Sequence, residues 1–138
     1  MANDCVPFFE PGQHPTATAK AAITGKRCVQ IAGDRAGGPG FTGVESRLYT
    51  VGMPNTAGAL GAGKRIFGVA GYDTPIGGDV KVIRGGIVPI KSGAAINAGV
   101  EVEVDANGQV ITLAAGTPIG LAVAACASGA DAEILLYL

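Results

Sequence analysis

The stretch from Val100 to Leu113 constrains this chain more than any other. Val100-Glu101-Val102-Glu103-Val104-Asp105 alternates apolar and polar residues, Asn107-Gly108 follows, and Val110-Ile111-Thr112-Leu113 resumes the apolar run. Two β-forming segments around Asn-Gly signal a hairpin, because both residues tolerate the left-handed backbone of a tight turn. With Asn107 and Gly108 central in a type I′ turn, Val104 faces Ile111, Val102 faces Leu113 and Glu103 faces Thr112. A three-residue loop, Ala106 to Gly108 with Gly108 left-handed, sets Val104 against Val110 and Val102 against Thr112 instead. The first register is preferred, since a one-residue slip turns half the apolar set to solvent. Burying Val102, Val104, Ile111 and Leu113 contributes roughly 1.5–3 kcal/mol each. A two-stranded ribbon still does not stand alone, so further strands must cover it.

What those strands are made of follows from the composition. Of 138 residues, 23 are Gly and 8 are Pro, which demands many turns and leaves little room for long helices. Aromatic residues make up 5% and Trp is absent, so Val, Ile, Leu and Ala must fill the core. With 48% hydrophobic and 15% charged residues the chain is not of the disordered type. A formal net charge of −1 argues against nucleic-acid binding, which shows a basic stripe. Cys5, Cys28 and Cys126 are too few and too scattered for a disulfide framework or a zinc knuckle, and read as reduced and mostly buried. Met1 to Asp4 lacks the basic-then-apolar pattern of a secretory signal. The longest apolar run, Ile119 to Ala127, falls far short of the ~20 residues of a membrane span. The expectation is a product made and kept in the cytosol unless it leaves within something larger.

Along the chain, residues 1–15 read as an extended arm, because Pro7, Pro11 and Pro15 remove backbone donors and push their predecessors into extended geometry. Phe8 and Phe9 on that arm must be tied down, against the chain's own body or against a partner. Residues 16–138 are expected to form a single β-rich domain. Thr16 to Ala21 alternates with period two, with helix over Ala17 to Ile23 as the competing reading, and Cys28 to Ile31 follows a Thr24-Gly25 turn as a second strand. Ala32 to Gly43 is a long glycine-rich loop. Strands are expected over Arg47 to Val51, Ile66 to Ala70, Val80 to Ile83 and Ala132 to Leu138.

Two stretches, about 25–84 and 85–138, lie over one another. Phe67-Gly68-Val69-Ala70 matches Ile119-Gly120-Leu121-Ala122 at an offset of 52, and at that offset Gly77 meets Gly129, Asp79 meets Asp131, Val82 meets Ile134 and Ile83 meets Leu135. Cys28 to Ile31 matches Ile87 to Ile90 at an offset of 59, as if the first copy held a seven-residue insertion. A duplication and the chance matching of glycine-rich sequence both account for this; a duplication predicts two similar halves that hide each other's apolar faces.

Reactive constellations are weak. Gly58 to Lys64 fits the first seven positions of a P-loop, but the eighth is Arg65 where Ser or Thr must hold magnesium, and a strand follows where a helix should start. His14 sits alone in the arm. Glu101, Glu103 and Asp105, spaced by two, share one strand face and read as its wet side, not as a carboxylate site or calcium ledge. Asp73, Asp79 and Asp131 are turn residues. No nucleophile, base and oxyanion hole come together. No catalytic residue, cofactor or metal site is expected.

One family nevertheless fits. Gly85-Gly86-Ile87-Val88-Pro89-Ile90, Gly93 to Gly99, Val104 to Gly108, Gly116 to Ala122 and the final strand resemble tailed-phage capsid decoration proteins, also called head-stabilising or cement proteins. Phe8-Phe9-Glu10-Pro11-Gly12 and Ala21 to Gly25 are similar to the amino-terminal part of such proteins from actinobacterial phages. The resemblance implies a mostly β protein with a small barrel or β-clip-like sandwich, made in the host cytoplasm and carried as a homotrimer on the outer surface of the virion. Its implied partner is the major capsid protein, with no nucleic acid or membrane involved. It gives Val6, Pro7, Phe8, Phe9, Glu10 and Pro11 the role of a capsid-contact arm. The alternatives are a small trimeric β-fold nucleotide hydrolase, whose magnesium-binding and Ser, Arg and Tyr runs are missing, and a carbohydrate-binding surface module, for which few aromatic platforms exist.

Overall fold

A computed structural model describes residues 3–5, 14–32, 49–52 and 65–138, with residues 49–52 described through their backbone. The fold is mostly β, and among the described residues every regular element is a strand. These are β1 (Thr16–Ala19), β2 (Cys28–Ile31), β3 (Tyr49–Gly52), β4 (Ile66–Ala70), β5 (Asp79–Ile83), β6 (Ile87–Lys91), β7 (Glu101–Val104), β8 (Val110–Thr112), β9 (Gly120–Ala122) and β10 (Asp131–Leu136). β1, β3, β2, β4 and β5 close into a barrel, and the later strands form a second sheet in the order β6-β10-β9-β7-β8. The period-two reading of Thr16 to Ala19 holds over helix: Ala17 and Ala19 point into the barrel while Thr16 is exposed.

The two sheets repeat one pairing scheme. In the first, Cys28 pairs with Val69 and Val69 with Ile83; in the second, Glu101 pairs with Leu121 and Leu121 with Leu135. Thr18↔Asp79 and Ala17↔Val80 recur as Lys91↔Asp131 and Ala132↔Ile90. Gln30↔Gly52 and Ile31↔Val51 recur as Glu103↔Ile111 and Val104↔Val110. β4 and β5 are thus carried onto β9 and β10 by 52 residues (68 to 120), β1 and β2 onto β6 and β7 by 73 (18 to 91), and β3 onto β8 by 59 (51 to 110). The turn glycines follow suit, Gly77 at φ 80° and Gly129 at φ 78°, as do the bridges Ile23↔Thr74 and Ile96↔Cys126.

This corrects one correspondence. Cys28 to Ile31 answers to Glu101–Val104, not to Ile87 to Ile90, whose counterpart is β1. The first half is longer than its twin by 14 residues between β2 and β3 (20 residues from Ile31 to Val51, against six from Val104 to Val110). It is longer by seven more between β3 and β4, where the offset drops from 59 to 52. Those extra residues fall in the glycine-rich passages, most of which lie outside the described residues.

The Asn-Gly hairpin also takes the other register. Val104 pairs with Val110, Glu103 with Ile111 and Val102 with Thr112. Asp105 decides this: its Oδ1 accepts from the backbone N–H of Asn107 at 2.8 Å and of Gln109 at 3.0 Å, while Asp105 N–H donates to Gln109 O at 2.8 Å. That closes a loop of three residues, with Gly108 in the left-handed region at φ 76°. Val102, Val104 and Val110 then all turn inward, and Ile111 shares the opposite face with Glu103.

Two apolar clusters follow. One, with Ala17, Ala19, Ile23, Val29, Ala70, Val80 and Val82, fills the first barrel. The larger one fills the second sheet with Val88, Ile90, Val102 and Ile134, and takes in Cys5, Cys28, Ile66, Val69 and Ile83 from the first half. The halves are also stitched by polar contacts. Lys91 N–H donates to Lys26 O and Cys28 N–H to Gly108 O, each at 2.8 Å. Lys26 Nζ meets Asp131 Oδ2 at 2.8 Å. The segment Lys26 to Cys28 thereby bridges β6 and the β7–β8 turn, where a single bridge just past the end of β6, Ser92↔Val110, reaches β8. The first half closes the same place with three, Ala17↔Tyr49, Thr18↔Thr50 and Ala19↔Val51.

Candidate docking surface

The residues singled out for chemistry do not converge. Glu103 is buried, and its Oε2 accepts from Ala114 N–H and from Gly116 N–H at 3.0 Å, pinning the 113–118 loop. The wet-face reading therefore fails at Glu103, because the chain folds back over it. Asp105 shapes the hairpin turn, and exposed Glu101 accepts from the Tyr137 hydroxyl at 3.0 Å. Among the described residues no cluster of three His, Cys, Asp or Glu gathers around a metal-sized site. Gly58 to Lys64 lies outside the described residues, and Ile66–Ala70 after it is a strand. Asp73 accepts from Gly25 N–H at 2.8 Å and from Asn3 Nδ2 at 3.0 Å. The Gly25 N–H first, then the Asn3 amide, hold its carboxyl below the usual range, so its small share of stability is present near neutrality and lost on acidification.

The thiols are free: Cys5 and Cys28 are buried and Cys126 is half-buried. Burial pushes Cys5 up from about 9 to about 12, and pushes Cys28 higher still. Unfolded thiols lose their protons above pH ~9 while these two keep theirs, so stability present below about pH 9 is lost as pH rises toward 12. A thiol reagent applied to the native protein at pH 8 should modify Cys126 alone, and all three cysteines after denaturation. Mass spectrometry of the adducts checks this, and rapid native labelling of Cys28 would contradict the packing.

Cys5 also fixes the start of the chain. Its N–H donates to Gly71 O at 2.7 Å and its Sγ to Pro89 O at 3.2 Å, so it touches both halves. Val6, Pro7, Phe8, Phe9, Glu10 and Pro11 lie outside the described residues.

Among the described residues, Ile31, Tyr72 and Ile76 are exposed singly in the first half, and apolar surface gathers at one end of the second half. A small groove there is lined by Arg65, Ile66, Thr117, Pro118, Ile119, Tyr137 and Leu138. On the outer face of the second sheet beside it, Val123, Leu135 and Tyr137 are exposed next to half-buried Leu121. Their side chains face out because β9 and β10 alternate, with Ala122, Ile134 and Leu136 turned inward. Sequence patterning missed this surface; the signal for it was the match of Leu135 to Ile83.

The body is thus two similar β halves with apolar outer surface on the second. The chain belongs to the phage cement protein family, whose profile matches residues 9–138. Its fold is similar to the crystal structure of the head fiber gp8.5 N base of bacteriophage phi29, with a TM-score of 0.62 at 17% identity over 96% of this chain and 93% of that one. No curated protein sequence matches it. The chain is a capsid-associated structural protein of a phage.

Proposed function

We propose that this protein decorates the outside of a phage head as a homotrimer, binds the major capsid protein and stabilises the shell without catalysing a reaction. The family match over residues 9–138 carries this reading. The physics supports it. A cement requires a stiff body that engages neighbouring subunits at several points, so that modest contacts combine through high effective concentration. Contacts of about 4–5 kcal/mol apiece, each with a dissociation constant of roughly 0.2–1 mM alone, hold tightly when three act together. Val6 to Pro11 serve as the contact arm, adding extended backbone and the Phe8 and Phe9 rings to the shell.

Two measurements test this. Purified virions should contain the protein at a copy number comparable to the shell subunit, and shells stripped of it should open at lower temperature; its absence from virions overturns the reading. Phe8→Ser with Phe9→Ser should leave the fold intact and weaken shell binding at least about tenfold, from roughly 1.5–3 kcal/mol of lost burial per ring. These substitutions spare Cys5, which a deletion of residues 1–15 would remove from the core. Unchanged decoration by the double variant removes the arm from the mechanism.

A further inference from the structure

The turn between β7 and β8 carries a peptide prone to covalent change. Of the four asparagines, Asn3, Asn55, Asn97 and Asn107, Asn107 alone is followed by glycine. Gly108 has no Cβ to shield its backbone nitrogen, and Asn107 is exposed to water at the tip of the hairpin. The Gly108 N–H is loosely engaged, donating to Asp105 O at 3.2 Å, the long end of the range for such a bond. Asn97 is exposed as well, but the nitrogen after it belongs to Ala98.

The same turn joins the two halves. Gly108 O accepts from Cys28 N–H at 2.8 Å, and Asn107 O accepts from Arg27 Nη1 at 3.3 Å. Asp105 Oδ1 sets the length of the loop by accepting from Asn107 N–H at 2.8 Å and from Gln109 N–H at 3.0 Å. Where the first half closes β1 on β3 with three pairs, the second half has the bridge Ser92↔Val110 and the contacts to Lys26, Arg27 and Cys28. A change of main-chain length at residue 107 therefore acts on the side of the second sheet that a single bridge closes.

We infer that Asn107 is a site of spontaneous deamidation and isomerisation, and that its isoaspartate product loosens the junction between the halves. The Gly108 nitrogen attacks Asn107 Cγ and forms the N–Cγ bond. The Cγ–Nδ2 bond breaks, and the amide leaves as ammonia with the proton of the Gly108 N–H. The cyclic succinimide that results is opened by water, which adds hydroxyl to one carbonyl carbon and returns a proton to the nitrogen. Opening at Cγ gives aspartate; opening at the backbone carbonyl carbon gives isoaspartate, whose main chain runs through Cβ and Cγ. That lengthens the main chain by one C–C bond, ~1.5 Å. It draws Gly108 O off Cys28 N–H, whose 2.8 Å bond leaves no such slack. The former Asn107 carbonyl becomes a free carboxylate beside Arg27. Water is the sole co-reactant, and the inference is independent of shell decoration.

Ageing the native full-length protein in mildly alkaline heavy-oxygen water tests it, beside Asn107→Gln and freshly prepared Asn107→Asp. Peptide mapping should find heavy oxygen and isoaspartate at residue 107 and at none of the other asparagines. The isoaspartate fraction, isolated by chromatography, should exchange the Cys28 amide hydrogen at least about tenfold faster than fresh protein, equivalent to ~1.4 kcal/mol. Its Cys28 thiol should also become open to alkylation. Asn107→Gln should age without either change, because its longer side chain closes a less favourable ring. Fresh Asn107→Asp carries the new charge without the longer main chain and should exchange like wild type. Absence of conversion at residue 107 overturns the inference, and so does an isoaspartate fraction whose Cys28 amide exchanges at the fresh rate. Fast exchange in fresh Asn107→Asp overturns it too, by assigning the loosening to charge and not to main-chain length.

Discussion

Gly68→Ala and Gly120→Ala should each destabilise the protein by about 2–3 kcal/mol, the upper part of the usual overpacking range, and by similar amounts. A Cβ on Gly68 would lie 2.5 Å from Val82 Cγ1 and 2.6 Å from Ile83 O. A Cβ on Gly120 would lie 2.6 Å from Ile134 Cγ2 and 2.5 Å from Leu135 O. The methyl groups could swing aside, but the carbonyl oxygens belong to the neighbouring strands β5 and β10 and move only with the ladder. Val82 and Ile83 are the 52-residue counterparts of Ile134 and Leu135, so both glycines meet the same obstacle twice over. For a chain of this size the loss lowers the melting temperature by roughly 3–5 °C per kcal/mol. Calorimetry of the two single variants checks it. A loss at one site and none at the other would show that the ladders are not equally rigid.

Truncating the second core should cost more. Ile134→Ala is expected to remove about 2–5 kcal/mol, the range for large-to-small changes at fully buried aliphatic sites. Ile134 is 0% exposed at the centre of the larger cluster, on the strand between β6 and β9. Its own strand is paired on both sides, with Val88 and Ala122 in register, which limits how far the site collapses around the void. The matching change in the first barrel, Val82→Ala, removes less volume from the smaller cluster and should cost less. Chemical denaturation should therefore rank Ile134→Ala below Val82→Ala in stability. The reverse order would mean that the first barrel, not the second, limits the fold.

The strands, the all-β class and the 52-residue offset were legible because alternation, β-branched residues and turn glycines are local signals. The hairpin register was not, since Asn107-Gly108 suits two loops and the Asp105 carboxylate chose between them. The wet-face reading of Glu103 failed for a related reason: the loop that buries it arrives from residues 114–116, and strand periodicity carries no information about that. Likewise the offset of 59 was sought at β2, whereas it belongs to β3 and β8, because insertions on both sides of β3 shift each strand differently. The apolar outer row could have been found by asking which half leaves Leu135 uncovered where the other hides Ile83. That question required the pairings, not the residue types.

The contact from Lys26 to Cys28 across to Lys91 and Gly108 also bears on how the molecule is made. During translation the first half leaves the ribosome before its twin, and its strands pair with one another and not with the second sheet. The second half has its seam completed by backbone that has already emerged. Between synthesis of Ile83 and of Leu136 the nascent chain therefore carries an unroofed Cys28–Val69–Ile83 row, and that interval is when a neighbouring polysome product could be captured in place of the chain's own continuation.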